Sequence, residues 1–200
     1  MTKSSDVRAL LMETADRLFF EQGYDAVGVA DICKAAGKAK GLFFYYFEKK
    51  ENVVKELIEI QIRTMSAHLT EVMRMMTVTP DRKLRFLMNT MISRESPGPR
   101  ALFYFKQEGI PDWLDFYTHD LKDKYIFPII YETVCGITEE SGNRKMTRSA
   151  VEIIYLGISA FMHRNHMRMA DEIFYAEAVS AISTTLEKAL NLPEGTMAID

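Results

Sequence analysis

Residues 36 to 51 read Ala36-Gly-Lys-Ala-Lys-Gly-Leu-Phe-Phe-Tyr-Tyr-Phe-Glu-Lys-Lys-Glu51, and how this run is arranged decides the fold. Five consecutive aromatics, Phe43 to Phe47, follow Gly41, and lysines bracket them on both sides. A helix beginning near Ala39 sets Phe43 and Phe47 four apart on one face with Ala39, suited to burial. Lys40, Gly41, Phe44 and Tyr45 then turn the other way. A segment that must grip a polyanion while staying anchored to a core needs this division.

Working outward, Val29, Ile32, Cys33 and Ala36 form one apolar face of a short helix over 29–35. Ala36-Gly37 breaks that helix, and Gly37 supplies the positive φ that a tight turn requires. Two short helices joined this way make a helix-turn-helix, in which the second enters the major groove while the first crosses the DNA backbone. Further upstream, Val7, Leu10, Leu11, Ala15, Leu18 and Phe19 recur at helical spacing, with Ser5 or Asp6 as N-cap and Gly23 as the stop. On the second helix of the pair, Lys40 can donate to guanine, Phe44 can pack on a thymine methyl, and Gly41 lets the backbone approach closely. Tyr45, Tyr46 and Lys50 are placed to donate to phosphates, and Lys38, Ala39 and Leu42 complete the expected DNA-binding set.

The charge distribution agrees. The 200 residues carry 25 basic against 28 acidic side chains, a net of −3. Residues 34–50 alone hold Lys34, Lys38, Lys40, Lys49 and Lys50 against Glu48, a local +4 that leaves −7 for the rest. A basic patch on an acidic body suits a local DNA contact better than wholesale coating of nucleic acid. Cys33 and Cys135 form neither a disulfide framework nor a Cys-x-x-Cys pair, and Cys33 reads as a buried structural thiol. With no signal-like N-terminus and no apolar run of about 18 residues, the expectation is a soluble cytoplasmic protein with no membrane contact.

The remainder reads as helix throughout, giving an all-α chain of about nine helices. Glu48-Lys-Lys-Glu51 opens a long fourth helix, and Pro80, Ser96-Pro-Gly-Pro99, Gly109-Ile-Pro111 and Glu140-Ser-Gly-Asn143 punctuate helices at roughly 81–94, 99–107, 112–135, 145–167 and 171–190. The expected domains are 1–47 for DNA and 48–192 for effector and partner, with 193–200 a frayed tail. Residues 150–162 are apolar on almost every side and need covering all round, so a four-helix bundle between two subunits is expected. Its interface would use Ile154, Ile158, Phe161, Val179, Ile182 and Leu186.

Met73, Met88, Phe103, Tyr104, Trp113, Phe116, Tyr117 and Tyr131 could line an adaptable apolar effector pocket or form an ordinary core. His163 and His166, with Glu152 or Asp171, fall short of the three or four convergent ligands a metal needs, so no metal is expected. There is no nucleophile elbow, P-loop or dinucleotide glycine fingerprint, and neither a cofactor nor an enzymatic activity is expected.

The stretch from Ala15 to Glu51 resembles the DNA-binding domain of the TetR family of transcriptional regulators. The matching residues are Ala15, Leu18, Phe19, Gly23-Tyr24, Asp31-Ile32, Ala36-Gly37, Lys40-Gly41, Tyr46-Phe47 and Lys50-Glu51, in order and without a gap. The resemblance implies a homodimer on a pseudo-palindromic double-stranded operator, released by a small-molecule effector that binds the larger domain. The family usually has Ser or Thr opening the second helix, Ser at 39, Thr or Ser at 42 and Tyr at 44, where this chain has Val27-Gly28, Ala39, Leu42 and Phe44. Lost hydroxyls leave more of the affinity to Lys34, Lys38 and Lys49, which predicts steep salt dependence. The rival reading is a helical lipophile-binding or enzymatic protein with a vestigial DNA-binding domain.

Overall fold

The computed structural model describes residues 3–92, 104–105, 109–140, 146–165 and 168–198, with backbone only at 3–5 and 163. Its helices are α1 (Lys3–Gln22), α2 (Val29–Ala35), α3 (Lys40–Tyr46), α4 (Lys50–Met75), α5 (Pro80–Ile92), α6 (Asp112–Tyr125), α7 (Phe127–Glu140), α8 (Arg148–Arg164) and α9 (Glu172–Leu190). No strand occurs among the described residues, so the all-α expectation holds. No described helix is long and apolar enough to cross a membrane.

Two compact units are present, one drawn from Met1–Met65 and Gly98–Lys122, the other from Ser66–Pro97 and Asp123–Asp200. In the first, Leu11, Ala15, Leu18 and Phe19 form the buried stripe of α1, and α1, α2 and α3 pack on one another. Gly23 ends α1 at φ +90°, with its amide donating to the Phe19 carbonyl at 2.9 Å. In the second unit α7 is the central helix, packed against α5, α8 and α9 and burying Phe127, Ile130, Val134 and Ile137.

Three expectations change. The single helix over 112–135 is two helices parted at Ile126, because Pro128 has no amide to continue the α6 ladder and its ring crowds the carbonyl four residues before it. Where the sequence suggests a frayed tail from Pro193, the chain through Met197 is held against α9. The Met197 amide donates to Glu187 Oε1 at 2.8 Å, and the Met197 side chain is fully buried. Third, Val179, Ile182 and Leu186 are buried within their own unit and cannot form the outer face expected of them. Their spacing marks an apolar stripe, but a stripe serves an internal neighbour as well as a partner. The proposed helix at 99–107 lies mostly outside the described residues, as does His166.

Candidate nucleic-acid interface

The turn between α2 and α3 is built by Gly37. At φ +62° it closes α2 with the Lys38 amide donating to the Cys33 carbonyl at 2.9 Å and its own amide to Lys34 at 3.2 Å. This paired pattern is the Schellman closure, and it satisfies carbonyls the helix end would otherwise leave bare. α2 begins without a hydroxyl. The Gly28 amide instead donates to the Asp31 carboxylate at 2.9 Å, so one half of a capping box replaces the missing Ser or Thr. Ala39 opens α3 with no side-chain cap at all.

Phe43 and Phe47 are buried with ring centroids 5.5 Å apart, and they hold α3 against the core. The Arg8 guanidinium lies 5.1 Å from the Phe47 ring centre and pairs with Glu56, tying α1 and α4 to the end of α3. Ala39 is exposed and does not share this buried face as expected, since its extended backbone sets it just outside the helix. On the outer side Phe44 is 54% exposed and Tyr45 76%, and Lys40 and Gly41 are exposed beside them. Phe44 stands edge-on to Phe43 at 5.6 Å, and Tyr45 edge-on to Tyr46 at 4.9 Å, so both exposed rings are braced. Leu42, Tyr46 and Lys38 are half-buried; Lys34 and Lys49 are exposed.

Lys50 differs from its expected role. Its ammonium donates to the carbonyls of Tyr24 at 2.9 Å and Val27 at 3.1 Å and sits 3.9 Å from the Tyr24 ring centre. Two carbonyls of the tight 24–27 loop converge on it, and that internal demand makes Lys50 a clamp between the loop and the start of α4. Burial, with the Glu51 carboxylate adding to it, pushes the Tyr24 phenol well up. Burial also pushes the Cys33 thiol up against the opposing effect of Lys40, as suits a structural thiol.

Sequence reasoning misses a second partner of this domain. The Tyr24 amide donates to the Tyr104 carbonyl at 3.0 Å, the Tyr104 hydroxyl donates to Asp16, and Phe19–Tyr104 and Tyr24–Phe105 rings lie 5.5 and 4.8 Å apart. Tyr104 is therefore committed to the core around α1 and is no pocket wall. Phe116, 79% exposed, lines no enclosed pocket either. Tyr117 donates to Glu59 at 3.2 Å, and Lys55 stands over Trp113 and Tyr117 at 5.5 and 5.2 Å. Met73 and Met88 are buried and Tyr131 half-buried in the other unit, and Phe103 lies outside the described residues.

Residues 11–57 match the family described as bacterial regulatory proteins, tetR family. The HTH-type transcriptional regulator EthR of Mycolicibacterium smegmatis is 30% identical over 80 residues, 40% of this chain and 37% of that one. The HTH-type transcriptional repressor AcnR of Corynebacterium glutamicum is 34% identical over 85 residues, 40% of this chain and 45% of that one. The matched segment thus spans less than half of these curated relatives. The fold extends further: the Thermus thermophilus FadR structure, a TetR-family repressor in complex with lauroyl-CoA, superposes with a TM-score of 0.60 at 19% identity, covering 92% of this chain and 93% of that one. Residues 11–57 thus match the DNA-binding segment of the tetR family of bacterial regulatory proteins, and the all-helical fold is shared nearly end to end with that solved structure.

Proposed function

We propose that this chain is a homodimeric, sequence-specific DNA-binding repressor of the cytoplasm, released from its operator by a small, mostly apolar effector. The observation that carries the reading is the outer face of α3, where Lys40, Gly41, Phe44 and Tyr45 are exposed above the buried Phe43 and Phe47. A rigid helix that offers braced aromatics and a lysine within a cluster of exposed lysines has the chemistry of a major-groove reader. Fluorescence anisotropy with duplex DNA flanking the protein's own gene is the direct test. Saturable binding at low salt is expected; a folded protein that binds no duplex would move the reading to the vestigial-domain rival.

Dimerisation is supported by what α8 and α9 leave uncovered. Ile153 is 71% exposed, and Leu156, Gly157, Ala160 and Phe161 are exposed with it; Ile173, Ala176 and Ser180 are exposed on α9. Ile154 and Ile158 are half-buried. Two such faces meeting their copies would form a four-helix bundle, and a dimer reading a pseudo-palindrome needs its two α3 helices about one DNA turn, 34–36 Å, apart. Light scattering at micromolar concentration should give a dimer, and Ile153→Asp with Leu156→Asp a monomer.

For the effector, Ser183 Oγ on α9 and Asn89 Oδ1 on α5 are buried without a hydrogen-bond partner among the described residues. Leaving such an atom unpaired costs about 1–3 kcal/mol, so a ligand's polar end that reached either would gain by pairing it. Acyl thioesters, the ligand class of the Thermus thermophilus relative, are the first compounds to screen.

A further inference from the structure

We infer that α3 reads thymine methyl groups, with Phe44 as the specificity-determining residue and the bare backbone at Gly41 making room for the base edge. The inference rests on the DNA-binding reading above and adds what the protein recognises.

The side chains of α3 are Lys40, Gly41, Leu42, Phe43, Phe44, Tyr45 and Tyr46, without an Arg, Asn, Gln, Ser or Thr. The bidentate pairs that identify guanine through Arg, or adenine through Asn and Gln, cannot be made from this helix. Lys40 can mark a guanine. The remaining contact available to an apolar surface in the major groove is the C5-methyl of thymine, the one apolar group that the base edges display there.

The geometry favours that contact. Phe44 is more than half exposed, yet its ring is held edge-on to the buried Phe43 at 84° and 5.6 Å. Gly41 precedes it by three residues and so shares its helix face. A Cβ added at Gly41 would meet nothing within 4 Å, and its backbone is ordinary helix. The fold therefore has no need of glycine there, although glycine inside a helix costs about 0.5–1 kcal/mol relative to alanine. What the missing side chain provides is clearance on the face where Phe44 stands. Exposed Lys34 and Lys49, with half-buried Lys38, supply the positive field that a polyanionic partner requires.

The test begins by enriching duplexes from a random pool with the full-length protein at low salt. Each thymidine of the enriched half-site is then replaced singly by deoxyuridine, which removes only the methyl. Wild type should lose about fourfold in affinity at one position per half-site, what about 0.8 kcal/mol for one buried methyl amounts to. Phe44→Ala should bind the thymine and uracil forms equally, with its fold checked by circular dichroism. Should it not fold, Phe44→Leu serves instead, and its discrimination should shrink. Half-sites without thymine, indifference of wild type to every replacement, or full discrimination retained by the Phe44 variant would each overturn the inference. Failure of the folded protein to enrich any duplex is a separate outcome, in which the DNA-binding reading itself falls.

Discussion

At residue scale, Gly41 and Lys50 show how one local demand can oppose another. Gly41 weakens the helix it sits in, and nothing packed around it explains the choice. Gly41→Ala should therefore raise the stability of the free protein by about 0.5–1 kcal/mol. The same change should weaken operator binding by about fourfold or more, the value of the one methyl contact it would crowd. Thermal melting and anisotropy on the same preparation would read both, and a variant neither stabilised nor weakened would refute the assignment. Lys50 runs the opposite way. Its lysine chemistry suits a phosphate, but two loop carbonyls and an aromatic face already hold its ammonium. At Gly28 the lost hydroxyl has been replaced by the Asp31 carboxylate three residues on, at the spacing a capping box uses.

At the scale of elements, the α2–turn–α3 unit was legible because everything that defines it is local. Gly37 sets the turn, and Phe43 and Phe47 at four-residue spacing set the buried face. The Tyr104–Phe105 anchor was not legible, since its contact with Phe19 and Tyr24 joins positions some eighty residues apart with no periodicity to announce it. The parting of α6 from α7 had its signal in Pro128, which two flanking apolar stretches outweigh when the pattern alone is followed. The outer side of α9 was hard to tell from its inner side, because the exposed Ile173, Ala176, Ser180 and Ala181 are as apolar or small as much of the buried stripe. Tyr104→Phe deletes the hydroxyl that Asp16 accepts from, and its carboxylate is only partly buried. The expected loss is about 1–2 kcal/mol of stability, near the range for a hydrogen bond to a charged group, measured by urea denaturation. Asp16→Asn should lose less, and a Tyr104→Phe protein as stable as wild type would remove the anchor from the account.

For the whole molecule, charge is the deciding quantity. The chain carries a net −3, so its attraction to DNA must come from where its lysines stand. With Lys50 internally engaged, Lys34, Lys38 and Lys49 are the ones left beside α3 to neutralise phosphate. A dimer setting six such charges on phosphates would lose affinity with a log–log salt slope of about −5. A slope of one or two released ions would show that those lysines are merely solvated. The other end of the chain has a different bearing, on where the protein could be shortened. Ending it at Leu192 would strip a fully buried methionine from beside α9 and leave Glu187, itself buried, without the amide that its carboxylate accepts from. A trimmed protein would thus lose one amide bond to a carboxylate and the burial of a whole methionine side chain, the latter worth about 1.5–3 kcal/mol. The last residues act as a stopper for α9, and their removal should open that helix to water and lower the temperature at which the protein melts.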